Sequence, residues 1–96
     1  MKIYTNIAHS GDWTKIADVD ANKTYKITFI PTETNSIEVH MHDAKNPKEI
    51  NRVNAPGSKF IANRTSTLKF RTRDNGNYIC IQPKIGEVTN ITVEEI

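Results

Sequence analysis

The sequence predicts an all-β fold, an antiparallel two-sheet β-sandwich of seven to nine short strands. Three observations lead there. In residues 23–43, Tyr25, Ile27 and Phe29 alternate with Lys26 and Thr28, and Ile37, Val39 and Met41 alternate with Glu38, His40 and His42. Successive side chains on a strand point to opposite faces, so each run has one face to bury and one for water. Turn-forming residues recur at the spacing of about 8–12 residues that marks a sandwich or a small barrel. No stretch carries a helical stripe with caps at its ends. Two alternating strands cannot cover an apolar face by themselves, so a second sheet is required.

The elements follow in order. Residues 1–5 open as a short strand, and His9, Ser10, Gly11 and Asp12 signal a turn. Residues 13–19 read as a strand with an imperfect alternation: Trp13, Lys15, Ala17 and Val19 share one parity, and Ile16 takes the other. Asp20, Ala21 and Asn22 turn the chain into the central strand, which Pro31 ends or holds to a sheet edge, because proline cannot donate to the ladder. Residues 36–42 form the next strand, 43–47 a loop and 48–53 a further strand. Residues 54–58 (Asn-Ala-Pro-Gly-Ser) are a strong turn, and 59–62 are short and apolar. In residues 67–73, Leu68, Phe70 and Thr72 alternate with Lys69, Arg71 and Arg73. Asn75-Gly76 is the strongest short hairpin signal, since both central turn residues can take positive φ, and it is expected to join this strand to residues 78–82. Residues 84–87 turn, and 88–96 are the last strand. With no repeat, low-complexity tract or linker, residues 1–96 read as a single domain.

At 96 residues the chain can bury one sandwich core without disulfides or metal. A net charge of +2 argues against nucleic acid as a partner, because such domains gather a strong basic excess on one face. No apolar run approaches the roughly 20 residues of a membrane span, and the start lacks the apolar core of a signal peptide. An extracellular location, which we favour, then implies a virion, cell lysis or excision from a larger secreted protein. The richness in Ile, Lys and Asn resembles proteins of AT-rich bacteria and their phages. Cys80 is the single cysteine, so no internal disulfide forms, and its place in a strand reads as a small hydrophobe. Asn22-Lys23-Thr24, Asn63-Arg64-Thr65 and Asn90-Ile91-Thr92 match the glycosylation triplet by chance in an Asn- and Thr-rich chain.

Residues 11–19 (Gly-Asp-Trp-Thr-Lys-Ile-Ala-Asp-Val), followed by residues 22–29 (Asn-Lys-Thr-Tyr-Lys-Ile-Thr-Phe), resemble the entry to carbohydrate-binding modules of the galactose-binding-like jelly roll. Residues 36–43 are similar to the next strand of that family, and Lys69-Phe70-Arg71 and residues 91–96 to its closing strands. The resemblance implies a jelly-roll sandwich without catalytic activity. It also implies a saccharide ligand, in a module appended to a glycosidase or in a phage tail or baseplate protein. Some members hold a structural calcium. No calcium motif transfers here: Asp18, Asp20 and Glu94 are acidic residues near strand ends, the usual place of a solvated charge.

The residues themselves point away from catalysis. His40 and His42 lie on one strand face, about 7 Å apart, with Glu38 in a Glu-x-His-x-His row. This row is either a metal or pH-sensitive surface or simply the polar side of the strand, and a zinc site wants three or four ligands. No Gly-x-Ser-x-Gly elbow, phosphate cradle or paired carboxylates stand out. A sugar ligand needs an aromatic face for its C–H surface and planar polar groups for its hydroxyls. Trp13 either caps the core or stands in a loop, and the high average burial of tryptophan favours the core. Tyr78, opposite in parity to Ile79 and Ile81, should face outward across the hairpin from Arg71 and Arg73. The expected ligand surface is therefore Trp13, His40, His42, Arg71, Arg73 and Tyr78. The expected function is a non-enzymatic module that recognises cell-surface saccharide. A small phage structural or decoration protein, or an inhibitor acting by protein contact, is the alternative. Multivalency and open sheet edges also make a homo-oligomer reasonable.

Overall fold

The computed structural model describes residues 2–43, 45–46, 50–74 and 77–96, and every regular element in it is a strand. In chain order these are β1 (Lys2–Ile3), β2 (Ala8–His9), β3 (Thr14–Val19), β4 (Thr24–Pro31), β5 (Asn35–Asp43), β6 (Ile50–Arg52), β7 (Lys59–Phe60), β8 (Ser66–Arg71), β9 (Asn77–Pro83) and β10 (Glu87–Glu95). They form two antiparallel sheets. One has six strands in the order β1-β3-β9-β5-β6, with β7 also on β5, and the other has four in the order β2-β10-β4-β8. The architecture is the predicted two-sheet sandwich. Its ten strands exceed the seven to nine expected because β2, two residues long, is too short to show alternation.

The long strands alternate between the sheets, as in a jelly roll. β9 is inserted between β3 and β5, while β4 is inserted between β10 and β8. This overturns the hairpin expected at Asn75-Gly76, residues which lie outside the described ones: β8 and β9 belong to different sheets. Turn chemistry permits a hairpin, but burial decides the partner. β8 sets Phe70 beside Tyr25 and Leu68 beside Ile27 on β4, and β9 sets Ile79 and Ile81 between the apolar rows of β3 and β5.

The core lies between the sheets. Tyr25, Ile27 and Phe29 of β4 and Val88, Ile91 and Val93 of β10 meet Ile37, Val39 and Met41 of β5 and Ile79 and Ile81 of β9. The alternation read in β4 and β5 is complete, since buried and half-buried residues alternate along each. β3 breaks the rule through a register shift between Lys15 and Ala17. Ile16 and Ala17 are both buried there, and a bulge of this kind turns two successive side chains the same way. Pro31 closes β4 beyond the reach of β8, whose pairing stops at Phe29, so its missing N–H interrupts no rung on that side. The three asparagines of the glycosylation-like triplets have a backbone explanation. Asn22, Asn63 and Asn90 have φ of 56°, 62° and 52°, a left-handed conformation that asparagine tolerates better than most residues.

Candidate functional site

The chemistry-bearing side chains gather on the outer face of the six-stranded sheet. Strand register decides this. Across β5 and β9, Glu38 stands opposite Gln82, His40 opposite Cys80 and His42 opposite Tyr78. Lys15 and Asp18 continue these rows on β3, opposite Cys80 and Tyr78, and Arg52 on β6 lies beside His40. Because the β3 bulge tucks both Ile16 and Ala17 inside, Lys15 and Asp18 both point outward and pair at 3.2 Å. Uninterrupted alternation would have set them on opposite faces.

The rings on this face touch in sequence. The Trp13 and His40 centroids are 4.2 Å apart at 31°, His40 and His42 are 6.1 Å apart, and His42 stacks on Tyr78 at 5.0 Å and 7°. The Lys15 ammonium then lies 4.5 Å from the centroids of both Tyr78 and Tyr4. Trp13 is not in the core: it is 43% exposed. Its position follows from the turn before it. Gly11, at a φ of 84° that favours glycine, donates its N–H to the Pro83 carbonyl, and its own carbonyl accepts from Gln82 Nε2. The turn is thus tied to the end of β9, and the indole rests against His40. Burial, the average behaviour of tryptophan, is lost because the inward positions of β3 are already filled by Ile16, Ala17 and Val19.

Charged groups border the rings. Glu38 takes a hydrogen bond of 3.0 Å from Arg52 Nη1 and lies 3.7 Å from Lys84 Nζ and 3.9 Å from His40 Nε2. Burial alone would raise its carboxyl, but Arg52 and Lys84 prevail and hold it below the usual carboxylate range. The Tyr4 hydroxyl, hydrogen-bonded to Asp18, holds that carboxyl low against an opposing effect of burial, with help from Lys15. Cys80 has outward parity yet is buried, and burial pushes its thiol up, which suits an inert packing role. Glu38 is thereby engaged with cations, and among the described residues no three His, Cys, Asp or Glu side chains are grouped to hold a metal ion. Asp18 and Glu94 face opposite sides of the sandwich, where they pair with Lys15 and Lys26.

Of the expected site residues, Trp13, His40, His42 and Tyr78 come together. Arg71 and Arg73 do not. Arg71 belongs to β8 in the other sheet, and Arg73 follows it, so the hairpin that would have brought them to Tyr78 is absent. Arg52, Lys15 and Tyr4 belong to the face although sequence reasoning did not select them. Arg52 reaches His40 only through the pairing of β5 with β6, for which no local signal exists.

The face carries a pH dependence. Burial pushes His40 and His42 below the ordinary histidine value of 6.5; Glu38 works against this at His40, while Arg52 reinforces it. His42 Nε2 is buried without a hydrogen-bond partner among the described atoms. The unfolded chain therefore binds more protons than the native state just below pH 6.5, so stability is full above that value and falls as pH drops through it. Urea midpoints measured from pH 8 to 3 should show this loss as pH falls through 6.5, and a His40→Gln/His42→Gln variant should flatten that part of the profile. Any further loss below the ordinary carboxylate values of 4.5 and 3.8 belongs to Glu38 and Asp18 and should persist in the variant. Compared with known proteins, the chain matches no family model, no curated protein and no solved structure.

Proposed function

We propose that the outer face of the six-stranded sheet is a non-catalytic saccharide-binding surface, acting on cell-surface glycan in a bacterial or phage setting. The observation that carries this reading is Trp13, a large ring held on His40 and left 43% exposed where the core had no place for it. An indole plane suits the C–H face of a pyranose, and Glu38, Arg52 and Gln82 beside it supply directed acceptors and donors for hydroxyls. The resemblance of residues 11–19 and 22–29 to galactose-binding-like modules agrees with this. The test is a glycan array carrying bacterial wall polysaccharides, followed by calorimetric titration of the best ligand. Trp13→Ala should weaken binding at least about tenfold, roughly 1.4 kcal/mol, with the fold intact. Retention of no glycan by the wild-type protein would sink the proposal.

A protein partner is the second reading. Trp13, Tyr4 and Arg52 on this one face are of the residue types that dominate protein interfaces, and Tyr4 is also 43% exposed. Light scattering after mixing with purified polysaccharide, virions or host lysate separates the two: a mass shift with protein alone favours an interaction module.

A further inference from the structure

The arginines that do not join the aromatic face meet elsewhere. Arg71 and Arg73 line a cleft of about 270 Å³ at the open side of the sandwich, between β6 of one sheet and β8 of the other. Lys69 and Arg52 also line it, Phe70 and Met41 contribute apolar surface, and no carboxylate is among the described lining residues. Arg52 is already engaged with Glu38. Arg71 has only a 3.5 Å contact with Thr24 Oγ1, and neither Lys69 nor Arg73 has an ion-pair partner among the described residues. Three cationic residues without an ion-pair partner among the described residues, Lys69, Arg71 and Arg73, thus border one cleft, Lys69 and Arg71 from the outward-facing positions of β8.

We propose that this lateral cleft binds a small organic oxyanion, a phosphate or carboxylate carried on a body of about sugar size. Guanidinium groups present paired donors that match the oxygens of a carboxylate or phosphate, and Lys69 adds a point charge. Phe70 and Met41 suit the apolar side of the body. The volume lies just below the range of about 300–1,000 Å³ typical of ligand pockets, which limits the guest to a small one. Charges on β8 also discourage edge-to-edge pairing of sheets. That role alone requires no anion, and the two explanations part under titration. The cleft shares Arg52 with the aromatic face but none of that face's rings.

The experiment follows the arginine Nε–H and backbone resonances of the whole protein by NMR, with glucose 6-phosphate, glucuronate, inorganic phosphate and glucose as separate titrants at constant ionic strength. Saturable shifts at Arg71 and Arg73 with the anionic sugars, with a Kd on the order of millimolar, and none with glucose are expected. Saturation by the phosphates alone assigns a phosphate ligand, and saturation by glucuronate as well assigns a general oxyanion site. Arg71→Gln/Arg73→Gln should weaken binding about tenfold while leaving the spectrum dispersed. Lys69→Gln, a milder change on the same exposed strand, should weaken it about threefold. Linear, non-saturating shifts, equal shifts with glucose, or undiminished binding in the double variant would overturn the proposal.

Discussion

Tyr25→Ala is expected to destabilise the protein by about 3–5 kcal/mol, the cost of emptying a core position once filled by an aromatic ring. Tyr25 is 1% exposed on β4, which is flanked on both sides by β10 and β8. Its ring packs against Phe70 at a centroid distance of 5.9 Å. Its hydroxyl reaches the turn before β4 and accepts the Asp20 backbone N–H at 2.8 Å. The alanine variant loses all three contributions: ring burial, the ring pair and the tie to the turn. Tyr25→Phe keeps the ring and removes the acceptor of the Asp20 N–H, a part-buried bond at an exposed turn residue, so about 0.5–1.5 kcal/mol should go with the hydroxyl alone. Urea unfolding of the two variants separates packing from the hydrogen bond. A loss below 1 kcal/mol for the alanine variant, at an unchanged m-value, would show that the interior collapses around the space, contrary to expectation.

Asn54→Ala should cost about 2–4 kcal/mol, although it removes a small polar side chain from what looks like an ordinary turn. Neighbouring strands do not cover the edge of β5 continuously. β6 pairs with His40 to His42, and β7 pairs with Asn35 and Ser36. Ile37 and Val39 fall in the gap, and Asn54 completes the ladder there. Its Oδ1 accepts the Val39 N–H at 3.0 Å and its Nδ2 donates to the Ile37 carbonyl at 2.7 Å, while Val53 N–H donates to the Val39 carbonyl. Asn54 is 7% exposed, so water would not readily replace it. Alanine leaves a buried donor and a buried acceptor unmet at once. Hydrogen exchange should single out the Val39 amide, which should lose protection more than the neighbouring amides of β5. Asn54→Asp should not rescue stability, because a carboxylate can accept from Val39 but has nothing to donate to Ile37.

The parts of this molecule legible in its sequence are those set by local repetition. β4 and β5 are buried at every second residue as their alternation requires, and the outward parity of His40, His42 and Tyr78 follows from the inward parity of their apolar neighbours. The misread parts depend on partners distant in the chain. Asn75-Gly76 invites a hairpin, yet β8 and β9 find better-matched apolar rows in opposite sheets. The same error placed Arg71 and Arg73 beside Tyr78. For Trp13 the sequence leaves core and loop open, with the average burial of tryptophan favouring the core, yet the β3 bulge fills that interior with Ile16 and Ala17. Half of the polar border, Arg52 beside Glu38, arises from a strand pairing that no short stretch announces.

The interleaving of the strands makes the two halves of the chain obligate complements. Among the described pairings, only that of β1 with β3 joins two strands of residues 2–43, and none joins two strands of residues 50–95. Each half on its own is a set of strands without edges to lie against. A chain still being synthesised cannot assemble either sheet until β9 and β10 have left the ribosome, because β9 alone links β3 to β5 and β10 alone links β2 to β4. Contacts this far apart in sequence slow folding, since the loops between them must close before any pairing repays the lost entropy. Once formed, the same arrangement works as a clasp: a cut between β5 and β6 would leave two fragments, each presenting the slots that the other fills.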